Sequence, residues 1–538
     1  MAGLATTFGS GAMTNSISEI SKSDCIFIIG SNTSENHPVI ALEVMEAVKN
    51  RQAKLIVADP RGVPMTRHAD LWLRLKPGTD TALINGLLHI IITENLINPE
   101  FIRTRTEGFE EVRKMIGRYT PDTVSQITGI PSDQLYMAAR LYATSRTAMI
   151  LYAMGITQHT GGTGNVMALA NLVMATGYVG REGSGLCPLR GHNNVQGACD
   201  MGALPDVLPG YQSVSNADAR KKFEDAWQVK LPSAAGLTLV EMMHSAQSGK
   251  IRGMYIMGEE PALTDPDSTQ VKEALKKLDF LVVQNIFLGE TSLYADVVLP
   301  GASFAEKDGT FTNTERRVQR VRKAIPPIAK SRPDWEIIAE LSSKMGYPME
   351  YCHPSDIMDE ISGLTPIYAG INYDRISKSG LQWPCRNSQD PGTRYLHSTA
   401  FTRGKGKFVP VEYDPAADSR NPRFPINLTT GRNLYHWHGG TISRQSPGLA
   451  EICPEGRVEI NPQQAASLGC SAGDLVEISS PQGKIYATVE VSEKSPPGLA
   501  FMPFHFKELP VNELTSDALD PIAKIAGFKI CPVNIRKI

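Results

Sequence analysis

Polar residues close the first two apolar segments of the chain in a pattern suited to binding a ligand. The segments DCIFIIG (24–30) and AKLIVADP (53–60) lead into the groups Gly30-Ser31-Asn32 and Asp59-Pro60-Arg61. Open α/β sheets bind ligands beyond the carboxyl ends of their strands, where glycine admits a phosphate to the backbone. A carboxylate accepts hydrogen bonds from ribose hydroxyls or guanine N–H groups, and an arginine forks onto phosphate.

These two groups predict a nucleotide site without the usual glycine-rich motifs. Neither contains a GxGxxG or Walker pattern, so NAD and ATP are not the expected ligands. The alternative interpretation is a pair of tight turns with Arg61 on the surface of the protein.

A second candidate lies in PLRGHNNVQGACDMGALP (188–205), which is rich in Gly, Asn, Gln and Ala and carries Arg190 and His192 at its start. Such a segment cannot form a core of its own, and its amides need partners, often a polar ligand. The guanidinium fork of Arg190 suits both oxygens of a carboxylate, so a carboxylate substrate is the predicted ligand. The alternative is a Gly-rich loop with a surface arginine.

Two histidines in TGRNLYHWHGG (430–440) stand two positions apart, a spacing that places side chains on one face of a strand. His436 and His438 have no third ligand near them in the sequence, which argues against a metal site. Hydrogen bonding to a polar cofactor is the preferred interpretation, and no metal ligand is assigned.

The elements that must position these residues alternate between strand and helix. In the first region, strands are predicted at 24–30, 53–60 and 148–155, and helices at 38–50, 79–95, 132–144 and 165–174. In a second region, strands are predicted at 252–258, 280–285 and 295–301, with a helix at 271–278. This alternation predicts an α/β fold with parallel sheets and crossover connections.

The second half of the chain changes character. The segment 305–331 is basic and is interpreted as irregular, and the helix DWEIIAELSSKMG follows it. Residues 383–425 are rich in Pro, Gly, Arg and Asn and are interpreted as a linker. Beyond them, short strands separated by the turn signals SSPQGK and EKSPPG predict a small β-barrel.

Composition excludes several classes of protein. A chain of 538 residues is expected to form several domains, and 54 basic against 56 acidic residues give no reason to expect binding to nucleic acid or an anionic membrane. No apolar run is long enough to cross a bilayer, and the N-terminus does not read as a signal peptide. No two of the eight cysteines lie within three residues of each other, which suits a reduced, cytoplasmic protein without a CxxC metal motif.

A series of longer motifs runs through nearly the whole chain: NSISEI, GSNTSENHP, ADPR, LKPGTDTALINGLLHIIITENL, TEGFEEVRKMI, MGITQHTGG, PLRGHNNVQGACDMGALPD, MGEEPALTDPD, YADVVLPGASFAEKDGTFTNTERRVQ, PDWEI, TGRNLYHWHGGTISR and MPFHFKELPVNELTSDALDPIAKI. In this order they resemble the molybdopterin oxidoreductase family, and within it the formate dehydrogenase catalytic subunits. NNVQGACDMGALP is more typical of formate dehydrogenases than of nitrate or sulfoxide reductases.

The resemblance implies a division into domains. Two α/β domains of Rossmann-like type are expected to bind dinucleotides, the first at 1–192 and the second at 193–304 with 333–382. An excursion toward an iron-sulfur domain is expected at 305–332, and the linker at 383–425. A β-barrel of double-psi type is expected at 426–538.

The resemblance also implies a molybdenum or tungsten centre held by two molybdopterin guanine dinucleotides. One dinucleotide is expected at Gly30, Ser31, Asn32, Asn36, Asp59, Pro60, Arg61, Gly78 and Asp80. The other is expected at Glu260, Thr264, Gln284 and Asp334. The pterin ends are expected at Met154, Gln158, Thr430, Gly431, Arg432, His436, Phe504, Asn512, Phe528 and Lys529.

In the family's pattern Arg190 binds formate, and His192 stands where a glutamine is commoner. The implied reaction is oxidation of formate to CO2. Electrons are expected to leave through a [4Fe–4S] cluster to an iron-sulfur subunit linked to NAD, ferredoxin or hydrogenase. The alternatives are another oxidoreductase of the family, such as one resembling nitrate reductase, and an inactive cofactor-binding fragment.

The family's cluster cysteines, its selenocysteine or cysteine metal ligand and the adjoining histidine all precede the position that Met1 occupies. Met1 stands in place of a valine a few residues beyond that ligand. We therefore expect an in-frame UGA codon and a cysteine-rich stretch immediately upstream; the alternative is a cysteine-type enzyme shortened by an assembly error.

Overall fold

The computed structural model describes residues 1–415 and 420–538, so residues 416–419 of the predicted linker lie outside the described residues. Its helices are α1 (Ala2–Phe8), α2 (Thr33–Asn36), α3 (Pro38–Arg51), α4 (Asp80–Thr93), α5 (Pro99–Arg105), α6 (Phe109–Ile116), α7 (Pro121–Thr128), α8 (Ser132–Ala143), α9 (Met154–Thr157), α10 (Gly162–Thr176), α11 (Val195–Asp200), α12 (Ala217–Trp227), α13 (Leu239–Gln247), α14 (Pro261–Thr264), α15 (Ser268–Lys276), α16 (Asp334–Lys344), α17 (Pro354–Leu364), α18 (Pro447–Ile452) and α19 (Pro462–Ser467). Within the described ranges, no helix is both long enough and apolar enough to cross a membrane.

The strands are β1 (Cys25–Ile29), β2 (Lys54–Ala58), β3 (Leu71–Leu73), β4 (Thr106–Glu107), β5 (Ala148–Tyr152), β6 (Gly185–Pro188), β7 (Val207–Leu208), β8 (Gln212–Ser213), β9 (Gly253–Met257), β10 (Phe280–Asn285), β11 (Val297–Pro300), β12 (Gly309–Thr312), β13 (Arg317–Val321), β14 (Leu381–Gln382), β15 (Gly406–Lys407), β16 (Ile426–Gly431), β17 (Arg457–Ile460), β18 (Leu475–Ser479), β19 (Lys484–Val491), β20 (Leu499–Pro503) and β21 (Cys531–Lys537). The described residues form two compact units. Unit 1 comprises Met1–Leu189, Leu263–Ser268 and Tyr395–Ile538, and unit 2 comprises Arg190–Ala262 and Thr269–Arg394.

A parallel sheet in the order β3-β2-β1-β5-β6 forms the centre of the first part of unit 1. Side chains of β1 alternate between two cores, because successive residues of a strand point to opposite faces. Phe27 and Ile29 pack in the core that includes residues of α4, α8 and α10, whereas Ile26 and Ile28 pack in the core that includes α3. The predicted parallel sheet is confirmed. Its strand order reverses between β1 and β5, and open α/β sheets bind ligands beyond the carboxyl ends of the strands at such a point.

The C-terminal part of unit 1 is a closed barrel in the order β16-β20-β17-β19-β18-β21. Alternate side chains of its strands point inward, among them Val476 and Ile478 of β18 and Val533 and Ile535 of β21. The barrel predicted from short strands and turn signals is confirmed.

Unit 2 contains a parallel sheet in the order β11-β10-β9, with α15 joining β9 to β10 along the chain, as predicted. The interpretation of 305–331 as irregular is wrong, because β12 and β13 pair there antiparallel, with Gly309 opposite Val321. Backbone hydrogen bonds form this ladder whatever the charge of the side chains, and Val318 of β13 is fully buried. The basic composition of the segment therefore concealed a hairpin.

The predicted linker contributes to the first core of unit 1. The Phe401 ring lies 5.1 Å from the Phe8 ring, and the Phe408 ring lies 5.1 Å from the Phe109 ring. Strand β15 also pairs in parallel with β4. Aromatic side chains anchor this stretch despite its Pro-rich and Gly-rich composition, since each large ring removes much apolar surface from water.

Candidate functional site

The loops that follow β1 and β5 meet at two glycines. The Gly155 amide donates to the Gly30 carbonyl oxygen at 3.0 Å, and a Cβ on Gly155 would lie 2.6 Å from the Gly30 Cα. Gly30 has φ +58, a left-handed conformation that glycine adopts without strain. His159 supports this contact, because its Nε2 donates to the Gly155 carbonyl oxygen at 2.7 Å. The two glycines thus allow the backbones of the segments after β1 and β5 to touch each other.

Polar side chains just beyond Gly30 lack donors. Within the described part of the chain, Asn32 Oδ1 and Asn36 Oδ1 are buried and have no hydrogen-bond partner. Ser31 Oγ, in contrast, lies 2.9 Å from Thr33 Oγ1. A buried acceptor without a donor is costly, so the loop is suited to a ligand that carries N–H or O–H groups.

Two acids at the carboxyl edge of the sheet have raised pKa values. Burial raises the pKa of Asp59 to about 6 and that of Asp80 to about 7. Asp59 Oδ1 accepts from the Arg61 amide at 2.9 Å, and Asp80 is the first residue of α4. Burial therefore destabilises both carboxyls as anions, and further donors from a ligand would stabilise the charged form.

The Arg61 side chain binds to the barrel. Arg61 Nη2 lies 2.8 Å from Glu459 Oε2 and Nε lies 3.2 Å from Oε1, and the guanidinium stands 3.5 Å from the centre of the Phe501 ring. The alternative of a surface arginine is wrong, since the Arg61 side chain is 14% exposed. The Arg61 guanidinium, which the sequence analysis assigned to a phosphate, is therefore paired with the Glu459 carboxylate.

A buried lysine in the barrel lies near Asp59. Lys529 Nζ donates to the Thr430 carbonyl oxygen at 2.6 Å, and its amide donates to the Gln158 carbonyl oxygen at 3.3 Å. The pKa of Lys529 is lowered to about 8, chiefly by burial and also by the positive charge of Arg432, while the charge of Asp59 opposes the shift. Burial also lowers the pKa of Arg432 to about 10. The arrangement brings cations together where an anionic ligand would stabilise them.

The prediction for the two histidines is wrong in its geometry. They follow the end of β16 rather than lying on a strand, and His438 has φ +44. His436 uses its ring within the barrel, with Nε2 2.7 Å from the Cys453 carbonyl oxygen and Nδ1 3.3 Å from Ser443 Oγ. Among the described residues, no group of three or more His, Cys, Asp or Glu side chains is arranged to hold a metal ion.

The remaining unit 1 candidates lie in the loops that follow β3 and β5 and in the barrel's own segments. Asn512 Nδ2 donates to the carbonyl oxygens of Leu263 and Thr264 at 3.2 and 2.9 Å, and its Oδ1 is buried without a donor among the described residues. The Pro60 carbonyl oxygen accepts a hydrogen bond from Arg74 Nε, Gly78 has φ +80 and lies beside Ile530, and Met154 is exposed. In the barrel, the Gly431 carbonyl accepts from the Phe504 amide, and the Phe528 carbonyl accepts from Thr430 Oγ1.

Unit 2 holds another polar cluster at the carboxyl ends of its sheet. Gln284 is fully buried, and its Nε2 donates to Asp334 Oδ1 at 2.7 Å. Asp334 also forms an ion pair with Lys307. Glu260 accepts from the Thr291 amide, and burial raises the pKa of its carboxyl. These side chains present carboxylate and amide oxygens, which can accept hydrogen bonds.

Arg190 is half-buried rather than a surface residue, and its loop folds into α11. Arg190 Nε donates to Gln196 Oε1 at 3.3 Å, and the Arg190 amide donates to Thr314 Oγ1 at 3.2 Å. His192 is exposed. The loop's polar groups also bind within unit 2, as when the Thr312 amide donates to Asn194 Oδ1 at 2.8 Å.

The structure adds residues that the sequence did not single out. Each of them contacts a predicted site residue or another residue of this set, which consists of Gly155, His159, Gln196, Asp200, Glu459 and Phe501. Gln196 and Asp200 stand in the quoted motif at the spacing of one helical turn, a signal that was available. Glu459 had no such signal, because it lies on a strand far along the chain.

Comparison with known proteins identifies related families and relatives. Residues 3–344 match the model described as "Molybdopterin oxidoreductase", and residues 426–532 match the "Molydopterin dinucleotide binding domain". The chain is 49% identical over 541 residues to the F420-dependent formate dehydrogenase subunit alpha of Methanocaldococcus jannaschii, covering 100% of this chain and 80% of the relative. It is 40% identical over 545 residues to formate dehydrogenase H of Escherichia coli, covering 100% of this chain and 76% of the relative.

Among solved structures, acetylene hydratase from Pelobacter acetylenicus aligns with a TM-score of 0.77 over 100% of this chain and 80% of that protein. At 20% identity this likeness shows the fold alone. The family model spans more than half of the chain, and the two relatives are similar to it along its whole length. The resemblance expected from the motifs is confirmed: the chain belongs to the molybdopterin oxidoreductase family, with formate dehydrogenase alpha subunits among its relatives.

Proposed function

We propose that this chain is the catalytic subunit of a formate dehydrogenase, which converts formate to CO2, one proton and two electrons. The observation that carries the proposal is the identity of 40% and 49% to formate dehydrogenase subunits along the full chain. The half-buried Arg190, a cation suited to a carboxylate, supports the same substrate.

One molybdopterin guanine dinucleotide is proposed to bind in unit 1. Guanine and ribose carry N–H and O–H donors, which the buried oxygens of Asn32 and Asn36 lack in the described part of the chain. The same donors would stabilise Asp59 and Asp80 as anions. The proposal includes a Rossmann-like first domain and a barrel of double-psi type. Arg61 is proposed to hold the loop after β2 against the barrel, because its guanidinium is paired with the Glu459 carboxylate.

The pterin end of this dinucleotide is proposed to meet Gln158, Arg432 and Lys529. The cationic side chains of Arg432 and Lys529 complement phosphate, and the neutral amide of Gln158 can bond to a polar ring. Asn512 would accept from the ligand through Oδ1, since its amide nitrogen is already used. A second dinucleotide is proposed at Glu260, Gln284 and Asp334 of unit 2, which offer carboxylate and amide acceptors.

A molybdenum or tungsten centre, when bound, supplies the capacity to accept two electrons from the C–H bond of formate. Arg190 is proposed to hold the carboxylate of formate through paired hydrogen bonds, which fixes where the C–H bond points. Its positive charge also keeps the carboxylate in place while charge moves away from carbon.

We further propose that electrons pass to an iron-sulfur partner protein, because formate releases them in pairs that must leave before the next turnover. The separation of the eight cysteines supports reducing, cytoplasmic surroundings.

The test is a dye-linked assay of the cofactor-loaded enzyme with formate and, separately, with nitrate. Reduction of the dye by formate is expected, and turnover of nitrate without formate activity would overturn the proposal. Arg190→Ala should raise the KM for formate by roughly 100-fold or more while bound molybdenum or tungsten is unchanged. Arg252→Ala, which removes an exposed arginine of the same unit, is the control and should leave KM unaltered.

A further inference from the structure

Behind Arg190, a chain of hydrogen bonds runs into the interior of unit 2. Arg190 Nε donates to Gln196 Oε1 at 3.3 Å. The amide nitrogen of Gln196 in turn donates to Asp200 Oδ1 at 2.9 Å and to the Tyr211 hydroxyl at 2.8 Å. Gln196 thus joins a half-buried cation to a buried carboxylate one helical turn away.

The buried carboxylate of Asp200 accepts hydrogen bonds from several side chains. Its side chain is fully buried, and Tyr211 OH donates to Oδ1 at 2.6 Å. Oδ2 accepts from the Tyr368 hydroxyl at 2.6 Å and from Trp383 Nε1 at 2.7 Å. An ionised carboxylate only accepts, so every neighbour that binds Asp200 must present a hydrogen to it.

This requirement sets the orientation of the Gln196 amide. The nitrogen end of the amide must face Asp200, because the oxygen end would meet a carboxylate that has no hydrogen to donate. The oxygen end is then left facing Arg190, where it accepts from Nε. A hydrogen bond at Nε restricts how the planar guanidinium can turn, and its remaining N–H groups lie in the same plane and point in defined directions.

We propose that Gln196 and Asp200 are positioning residues that orient the Arg190 guanidinium for a carboxylate substrate. This inference rests on the proposed function, in which Arg190 binds formate. It goes further by naming the residues that set the direction in which the Arg190 guanidinium points. A bare structural role predicts that changes at Asp200 alter stability alone, whereas positioning predicts a weaker hold on formate.

Two variants separate these roles in the loaded enzyme. Asp200→Asn introduces a donor that favours the opposite orientation of the Gln196 amide, which would turn N–H groups toward Arg190. Gln196→Leu removes the link while leaving the donors from Tyr211, Tyr368 and Trp383 on Asp200. If Asp200→Asn fails to fold, Gln196→Leu still tests the proposal.

The matched control is Glu360→Gln, another exchange of a carboxylate for an amide in unit 2. Glu360 also accepts from a tryptophan and a tyrosine, with Trp227 Nε1 at 2.8 Å and Tyr351 OH at 2.6 Å. No hydrogen bond among the described contacts of Glu360 leads to Arg190. Loss of stability without change in formate binding is expected there.

The measurements are KM and kcat for formate, the Kd of formate by calorimetry, the unfolding midpoint, and bound molybdenum or tungsten. Asp200→Asn and Gln196→Leu should raise KM and Kd by roughly 10- to 100-fold, with metal content unchanged. An unaltered KM and Kd in folded Gln196→Leu, alongside a raised KM in Arg190→Ala, would overturn the inference and leave the proposed function standing. An unaltered KM in Arg190→Ala itself would remove this inference together with the formate-binding role proposed for Arg190, whereas the assay with formate and nitrate decides the proposed function separately.

Discussion

Arg61 and Glu459, 398 residues apart in the sequence, form an ion pair with Nη2 and Oε2 2.8 Å apart. The pair ties the loop after β2 to strand β17 of the barrel within unit 1. Ser495 Oγ donates to the same carboxylate at 2.5 Å, and Phe501 covers the guanidinium. Because both side chains are largely buried, the loss of either partner leaves a charge without compensation.

Glu459→Gln should therefore lower the free energy of unfolding by about 3 kcal/mol or more, and Arg61→Met together with Glu459→Gln should cost less than the sum of the two changes. Denaturant unfolding of the single and double variants measures the coupling. Asp474→Asn, which breaks the more exposed pair with Lys537, should cost about 1 kcal/mol or less. Equal costs for the two pairs would contradict the assignment.

Gly155→Ala should disturb the close contact between Gly155 and Gly30 beside β1, because its Cβ would lie 2.6 Å from the Gly30 carbonyl oxygen. We expect a loss of roughly 1–3 kcal/mol in stability and a lower content of bound pterin after purification. Gly161→Ala, in the same loop, places its Cβ where nothing lies within 4 Å and serves as the control. Retention of pterin in Gly155→Ala would mean that the close approach of the two loops is not needed for binding.

Asp80→Asn should stabilise the cofactor-free protein at pH 8 but not at pH 4. Burial raises the pKa of Asp80 from 3.8 to about 7, so ionisation opposes folding, and the penalty grows as pH rises from about 4 and is complete above about 7. Its full size is about 4 kcal/mol. Thermal unfolding across this pH range measures the difference. Asp133→Asn, an exposed acid in the first turn of α8, should show no such gain, and the same gain in both variants would refute burial as the cause.

Lys529→Met should show the opposite pH dependence. The lowered pKa of Lys529, about 8, means that the charged form opposes folding below that pH, so the variant gains stability there and the gain vanishes as pH rises toward 10.5. The loaded enzyme should nevertheless retain less pterin, because a cation facing the ligand is lost. Lys524→Met, at an exposed lysine, is the control. Unchanged pterin content in Lys529→Met would remove this residue from the proposed site.

Much of the fold follows from the sequence because it depends on local periodicity. Apolar runs such as 24–30 and 53–60 predicted β1 and β2, since strands buried on both faces need continuous apolar residues. Glycine and turn residues marked the barrel's connections. Composition predicted less where charged or Pro-rich segments contact residues that are distant in the sequence. For this reason the hairpin at 309–321 and the burial of Phe401 were missed.

The sequence by itself determined which residue types close the strands, the motifs that identify the family, and the pairing of Arg190 with a carboxylate as a chemical expectation. Only the tertiary structure decided that Glu459 pairs with the Arg61 guanidinium and that hydrogen bonds connect Arg190 to Gln196 and Gln196 to Asp200. Residues such as Trp383 and Asp200 lie 183 positions apart, and no local pattern records which donors will meet at a buried carboxylate. Packing brings them together, because a buried charge is stable only where the fold supplies enough hydrogen bonds.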